Sequence, residues 1–513
     1  MYTMLKSAAN RINKILGDRW MSIGILLFFV FESAWIAFSA IYPQAFDENF
    51  HFGLIQTYSH YWLPFLSKQP PGANVYGAVA RDPSYLYHYL MSFPYRFIEL
   101  FVHGQTGQVI LMRLTNIGIF GIGLVLFRRV LLRIGVSLKL FNAIFFIFVL
   151  IPIVPQLAAQ INYDNLIFPL VAWTCLLTFD AIDEIKKRQP SFRTLATLLI
   201  VCLLTSLVKY AFLPIFLGVV IFVSILGYRA FRGDFKSYLL HIWNSFKTQS
   251  KVSKTVLISL LIISLSLFVQ RDGINLVKYH ALAPNCASVL NVQDCSAYSV
   301  WDFNYLSHKN VIANPHLVSK NPIYYIAEWL YWMWYRLFFT VNGPNSQFTN
   351  YPPLPLPSAA AALIAVIGTL GIIKFRRRLF GSNPYIVFLL LISVLYILAL
   401  LLQGYASYKY TAVLQNMNGR YLLPVLPLLV ALAGMSFSFA FRKLNTYKAV
   451  VTALVMLLFL QGGGFLTFIS RSDDTWDWPN SAVTKANDTA RRVTKPVIVD
   501  GKKTYSTSIW FFN

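Results

Sequence analysis

Charged side chains are scarce in this chain. Asp, Glu, Lys and Arg make up 12% of its 513 residues, about half the ~25% usual in soluble domains. With 57% hydrophobic residues and a mean hydropathy of +0.55, that shortage excludes a soluble globular protein. Acidic residues are the scarcest, 20 against 44 Lys and Arg. The resulting net charge of +24 comes with no zinc-finger or helix-turn-helix pattern, and the basic residues fall in short clusters between apolar runs. Nucleic acid is therefore excluded as the partner of that charge; basic cytoplasmic loops of a membrane protein account for it. Cysteine is nearly absent too. Of four, Cys175 and Cys202 lie in apolar runs as inert packing residues. Cys286 and Cys295 share the polar stretch "NCASVLNVQDC" and are either a disulfide, if that loop faces an oxidising compartment, or two free thiols. No internal repeat of the transporter kind stands out.

Long apolar runs are abundant. "SIGILLFFVFESAWIAFSAIY", "FNAIFFIFVLIPIV" and "YIVFLLLISVLYILALLL" are of a length to cross a hydrocarbon core of about 30 Å, and similar runs recur throughout. The first is too long, and too closely followed by others, for a cleaved signal peptide. More than half of the 44 basic residues fall in six clusters: the N-terminus, "RRVLLRIGVSLK", "KKRQPSFR", the stretch from Arg229 to Lys254, "KFRRR" and "RKLNTYK". Placing all six in the cytoplasm yields roughly eleven crossings, near 20–42, 109–127, 140–157, 165–181, 194–208, 211–228, 255–271, 359–374, 385–403, 421–440 and 448–469. The segments "SYLYHYLMSFPYRFIELFV" and "IYYIAEWLYWMWYRLFFTV", rich in Tyr and Trp and carrying ionisable residues, then read as interfacial helices. The expectation is an all-α polytopic membrane protein. A membrane domain spans 1–469, with a first outer loop at 43–108 that contains a juxtamembrane helix over 84–102, and a long outer loop at 272–358. The tail at 470–513 falls outside the cytoplasm and the N-terminus inside it.

On the outer side this topology collects Asp47, Glu48, His51, Asp82, His88, Asp164, Lys209, Lys409 and Arg420. Ionisable groups at such depths usually line a functional pathway or cavity. Each has a plainer reading. Asp47 and Glu48 either serve chemistry or cap the helix that starts at "NFHFGLIQTY". His51 either meets a ligand or bonds to Asp47 one turn away. Asp82 precedes Pro83 and suits a turn, and Asp164 is placed to be an N-cap. Asp47 and His51 could also contact a divalent metal ion, although the sequence identifies no further ligands. Glu32, inside the first span, is paired, protonated or turned to a water-filled groove. Carboxylates on one wall and cations on another suit a sugar carried on polyprenyl phosphate: cations hold the phosphate, and a carboxylate takes the acceptor's proton.

The order of short motifs sharpens this. "FDENFH" after the first span, "RDPSYLYHYL", then "LMRLTNI" opening the next span resembles the GT-C superfamily of integral-membrane glycosyltransferases, such as protein mannosyltransferases and aminoarabinose transferases. "NYDN" and "NGRYLLPVLPLL" resemble a related group of bacterial multi-pass membrane proteins in which a GRYxLP element recurs. The resemblance covers most of 20–440, as short motifs only. It implies a GT-C-like fold, a polyprenyl-phosphate-linked sugar as donor, inverting transfer, and an active site on the extracytoplasmic face of the cell membrane. By position it implies that Asp47 is the general base or metal-contacting carboxylate, with Glu48 beside it and Asp164 as a second acidic residue. Arg420 and Lys209 would be phosphate-binding cations. Where many members have Lys-Pro-Pro, this chain has Arg81-Asp82-Pro83-Ser84, so phosphate contact there depends on Arg81. The partners expected are the lipid-linked sugar, the membrane lipid around it and an extracytoplasmic glycan, lipid or protein acceptor. The alternatives are a transporter or flippase of lipid-linked saccharides, or an envelope polysaccharide polymerase or ligase.

Overall fold

The computed structural model describes residues 2–318, 321–338, 343–344, 355–381, 383–442, 445–472, 474–492, 496–499 and 502–505. It is built of helices, the conformation that satisfies every backbone polar group within one apolar segment. An amphipathic α1 (Tyr2–Leu16) precedes α2 (Arg19–Ser39), whose N-cap Asp18 accepts from the Trp20 amide. The first loop holds α3 (Glu48–Ser59) and α4 (Leu86–Glu99). Next come α5 (Gln105–Arg133), α6 (Leu138–Val149), α7 (Ile153–Ala158), α8 (Asp164–Lys186), α9 (Phe192–Val208), α10 (Leu213–Ala230), α11 (Phe235–Thr248) and α12 (Lys251–Phe268). The second long loop carries α13 (Ile274–Tyr279), α14 (Cys286–Val289), α15 (Val292–Ser296), α16 (Ser299–Ala313) and α17 (Pro322–Phe338). The remainder is α18 (Pro355–Phe380), α19 (Pro384–Thr411), α20 (Leu426–Ala440), α21 (Asn445–Gly462), α22 (Gly464–Arg471) and α23 (Ser481–Arg492). An antiparallel hairpin, β1 (Pro496–Val499) with β2 (Lys502–Tyr505), is the one element outside this helical plan among the described residues.

Six helices are long and apolar enough to cross a membrane: α2, α5, α8, α10 with its lead-in from Tyr210, α12 with its extension to Tyr279, and α19. The chain is thus an all-α polytopic membrane protein. Helices also stand at the other expected crossings, but two are interrupted. The span expected at 140–157 is α6 followed by α7, broken around Pro152, because proline cannot continue the hydrogen-bond ladder. The span expected at 448–469 is α21 and α22, parted at Gly463, with Gly464 after it taking φ +62°. Glu32 is fully buried against that break: a side chain added at Gly464 would collide with its Oε2. The long loop's Cys286 and Cys295 are joined as a disulfide, and Cys175 and Cys202 are buried thiols. Residues 319–320, 339–342 and 345–354 of that loop, and 473, 493–495, 500–501 and 506–513 of the expected tail, lie outside the described residues.

The centre of the bundle is aromatic. Phe168 of α8 stacks on Phe120 of α5 at 4.2 Å and on Phe148 of α6 at 5.9 Å. Gly123 leaves room for the Phe168 ring, which a Cβ there would strike. Helices α5 and α8 run in the same direction. At one end Arg133 pairs with Asp180 (2.6 Å) and Asp183 (2.8 Å), next to the basic clusters at 128–139 and 186–193. Arg113 and Asp164 lie at the other end. Asp164 to Asp183 is about 28 Å of helix, close to the ~30 Å hydrocarbon thickness.

At that second end, Arg113 lies fully buried across the C-terminus of α2. It donates to the carbonyls of Ala37 (3.1 Å) and Ala40 (2.5 Å), acceptors that a helix end leaves unsatisfied. Its Nε and Nη2 form a fork on Glu48, at 2.8 and 2.7 Å. The tail folds over the same place. Ile41 donates its amide to Trp476 (2.7 Å), and Trp478 donates to Ser39 (3.0 Å). Arg491 of α23 ties Asp474, Asp477 and Asp488 together.

Because both ions of the Arg113–Glu48 pair are wholly excluded from solvent, removing one leaves an uncompensated buried charge. Arg113→Met is expected to lower stability by about 3–5 kcal/mol, read as thermal unfolding of the purified protein in detergent. The double variant with Glu48→Met should lose less than the sum of the single losses. Strict additivity would refute the coupling.

Candidate active site

The backbone just before α3 is unusual. Phe46 and Asp47 both take left-handed φ values, +62° and +63°, which cost non-glycine residues of order 1–3 kcal/mol each. Their surroundings hold them there. The Phe46 carbonyl accepts from Asn162 Nδ2 (3.0 Å) and from Arg420 Nη1 (3.0 Å), and Glu48 is locked by Arg113. Asp47 therefore occupies the N-cap position of α3 without capping it. Its carboxylate turns to Arg420, with Oδ2 to Nη2 at 3.2 Å, and stays half exposed (53%).

Arg420 is buried and joins two carboxylates. Its Nε lies 3.8 Å from Asp164 Oδ2, while Asp164 Oδ1 accepts from Lys209 Nζ at 2.5 Å. Lys209 also sits over the rings of Tyr163 (4.5 Å) and Tyr421 (4.9 Å). The residues come from distant elements: Asp47 from the first loop, Asp164 from the start of α8, Lys209 from the end of α9, and Arg420 from the turn before α20. Burial works against charge on Lys209 and lowers its pKa, with Asp164 partly offsetting this. For Arg420 burial acts the same way, but Tyr421, Asp47 and Asp164 outweigh it and hold the guanidinium firmly charged.

A cavity of about 450 Å³ opens on the Asp47 side of this cluster, lined by Gln44, Asp47, Asn49, His51, Asp82, Tyr298 and neighbouring residues. A smaller chamber of about 150 Å³, with Lys209, Gln403, Asn416 and Tyr421 in its wall, shares Tyr163 and Tyr210 with the first. In the larger cavity His51 Nδ1 meets His88 Nε2 at 2.9 Å, with the rings stacked at 5.2 Å. Burial depresses both, His51 well below the usual imidazole range and His88 to about 3. Burial raises the Asp82 carboxyl instead, against the pull of the Ser84 amide and Arg271.

No family model matches the chain. No curated protein matches it either. Among solved structures it is similar to the oligosaccharyltransferase of Archaeoglobus fulgidus, which was tethered through a disulfide bond to an acceptor peptide containing the NVT sequon. The identity is 12% and the TM-score 0.42, over 92% of this chain and 59% of that one. The chain thus spans under two thirds of that enzyme's length.

Four of the residues expected at the site converge as one cluster: Asp47, Asp164, Lys209 and Arg420. The others have different placements. Glu48 is fully buried and also accepts from the amides of Gln44 (2.8 Å) and Ile161 (3.2 Å), so its carboxylate is taken up by Arg113 and these two amides. His51 does not bond Asp47 through its ring; it takes His88 instead. Asp82 forms the expected turn, accepting from the Ser84 amide at 2.9 Å, and lines the cavity as well. Asp164 does not cap α8; Asn162 Oδ1 accepts its amide at 2.9 Å. Arg81 points to the Gln270 carbonyl (3.4 Å), away from the cavity wall, and Lys409 is an exposed residue over Tyr405. The metal site expected of Asp47 and His51 is not assembled. Arg420 holds the Asp47 carboxylate, His88 holds Nδ1 of His51, and among the described residues no three His, Cys, Asp or Glu side chains are grouped for a metal ion. Sequence reasoning missed Arg113, Tyr163 and Tyr421 as site residues, although "LMRLTNI", "NYDN" and "GRYLLP" contain them.

The histidine pair makes stability depend on pH. Both folded pKa values lie below the ordinary ~6.5, so between about pH 6.5 and 3 the unfolded chain binds more protons. Stability is complete above pH 6.5 and falls as pH drops, by up to about 1.4 kcal/mol per pH unit for each histidine. A His51→Gln/His88→Gln double variant is expected to show a shallower loss of melting temperature between pH 7.5 and 5 than the parent. An unchanged slope would place the titrating groups elsewhere.

Proposed function

We propose that this chain is an integral-membrane glycosyltransferase that moves a sugar from a polyprenyl-phosphate donor to an extracytoplasmic hydroxyl acceptor, with inversion. The observation that carries this reading is the bridge from Asp47 through Arg420 to Asp164 and Lys209, beside two cavities that share Tyr163 and Tyr210 in their walls, at the end of the bundle opposite the Arg133 ion pairs. The motifs quoted for the resemblance to GT-C enzymes and a related bacterial group contain Asp47, Asp164 and Arg420; Lys209 lies outside them and joins by position.

The smaller chamber suits the phosphate. It contains Lys209 and borders α19 at Leu400, Gln403 and Gly404, beside the outward apolar side chains Leu398 and Leu402. A prenyl tail would lie along that helix face while its phosphate meets Lys209 and Arg420. The four charges of the empty cluster sum to zero. An arriving phosphate competes with Asp47, the one member half exposed, for the Arg420 guanidinium. Freed from Arg420, the Asp47 carboxylate takes the acceptor's hydroxyl proton. The acceptor oxygen then bonds to the anomeric carbon opposite the phosphate, and the bond from that carbon to the phosphate oxygen breaks. Polyprenyl phosphate leaves with the bonding electron pair, its charge held by Arg420 and Lys209. Asp164 stays in place, orienting both cations.

The test uses full-length protein in liposomes with labelled polyprenyl-phosphate sugars and a candidate acceptor. The parent is expected to form glycosylated product and release polyprenyl phosphate. Asp47→Asn should fold normally and lose about 10²–10⁴-fold in rate. Full activity in that variant removes Asp47 from the mechanism. Movement of labelled lipid across the bilayer without transfer would replace the reading with a flippase.

A further inference from the structure

Gln44 stands three residues before Asp47 and has an unexplained side chain. It is 2% exposed and lines the larger cavity. Its backbone amide is fixed on Glu48 Oε2 (2.8 Å), yet neither Nε2 nor Oε1 of its side chain has a hydrogen-bond partner. A buried amide with both ends unpaired is costly, and native structures rarely keep one without a reason. In a cavity wall the reason is a ligand that supplies the missing partners.

One turn into α3, His51 faces the same cavity and presents a single ring nitrogen to it. His88 Nδ1 makes no hydrogen bond, and the Ser84 backbone one turn earlier favours the protonated ring. With the proton on His88 Nδ1, His88 Nε2 accepts from His51 Nδ1–H. His51 Nε2 is then left as a lone-pair acceptor of fixed direction. Nearby, the rings of Phe50 and Tyr298 stack at 5.8 Å and the Asp82 carboxylate completes the wall. An amide that both donates and accepts, a ring nitrogen that accepts, a carboxylate and flat aromatic faces match a sugar ring with several hydroxyls. Bare phosphate, which brings acceptors, does not match His51 Nε2.

We propose that Gln44 and His51, with His88 as the positioning residue that sets the His51 tautomer, form the hydroxyl-recognition pair for the donor's sugar headgroup. This rests on the transferase reading and adds the residues that choose among sugars. A site built to bond a hydroxyl discriminates far more strongly than an apolar one.

The test measures binding of a short polyprenyl phosphate, bare or carrying glucose, mannose or galactose, to full-length protein in nanodiscs. The parent should prefer at least one sugar-bearing lipid to the bare one. Gln44→Met should bind bare lipid as the parent does and lose that preference by tenfold or more. His88→Leu should lose it as well, whereas His88→Gln, whose amide oxygen can accept from His51 Nδ1–H, should retain most of it. A ligand-free readout accompanies this: Gln44→Met removes an unpaired buried amide and should raise the melting temperature by about 2 °C. A parent-like preference in Gln44→Met, or a fall in its melting temperature, overturns the proposal. A parent that binds bare and sugar-bearing lipids equally overturns it and leaves the phosphate site standing. A parent that binds none of them overturns both.

Discussion

The two-pronged bond between Arg113 and Glu48 orders everything around the site. A buried ion pair is weak evidence for stability, since the desolvation of both charges offsets much of their attraction. Its value here is geometric. One guanidinium gathers the loose carbonyls at the end of α2, and its planar fork fixes the first carboxylate of α3. That carboxylate in turn holds the amides of Gln44 and Ile161. Four segments of chain meet at one point. With Glu48 immobile, its neighbour Asp47 has no helical position to relax into and projects toward Arg420. The tail reinforces the arrangement through Ser39 and Ile41, and Trp478 lies 5.7 Å from the Arg113 guanidinium.

Adjacent acidic residues thus divide the work. Glu48, wholly buried, sets position. Asp47, half exposed and left-handed in its backbone, keeps a carboxylate free enough to exchange partners. Beyond it, Arg420 and Lys209 sit among Tyr163, Tyr421 and Phe46, where aromatic faces soften the cost of burying cations. Asp164 supplies the lasting counter-charge. In the proposed mechanism an anion that displaces Asp47 finds two cations already oriented, and the same displacement frees a base, so that binding and proton transfer would be coupled through one guanidinium.

Much of the frame was legible in the residues. Long apolar runs and basic clusters placed the helices, since lipid allows few other conformations for such segments. The breaks at Pro152 and at Gly463–Gly464 were harder to read: apolar periodicity continues across them, and only the backbone chemistry of proline and glycine parts the helix. "FDENFH", "NYDN" and "GRYLLP" contain Asp47, Asp164 and Arg420, which the fold brings together. The roles of Asp47 and Glu48 could not be separated, because the partner that distinguishes them, Arg113, lies 65 positions away from Glu48. The same distance hid the His51–His88 pair, 37 positions apart. Gln44 carries no motif, and its unpaired amide is visible only in three dimensions.

The proposed transfer turns on where a lipid-borne phosphate goes. The most direct measurement is a cryo-electron microscopy structure of the protein in nanodiscs with polyprenyl phosphate. It should show the phosphate within hydrogen-bond distance of Arg420 and Lys209, Asp47 turned away from Arg420, and the prenyl chain along α19. Phosphate bound elsewhere, with the bond between Asp47 and Arg420 intact, would contradict the account.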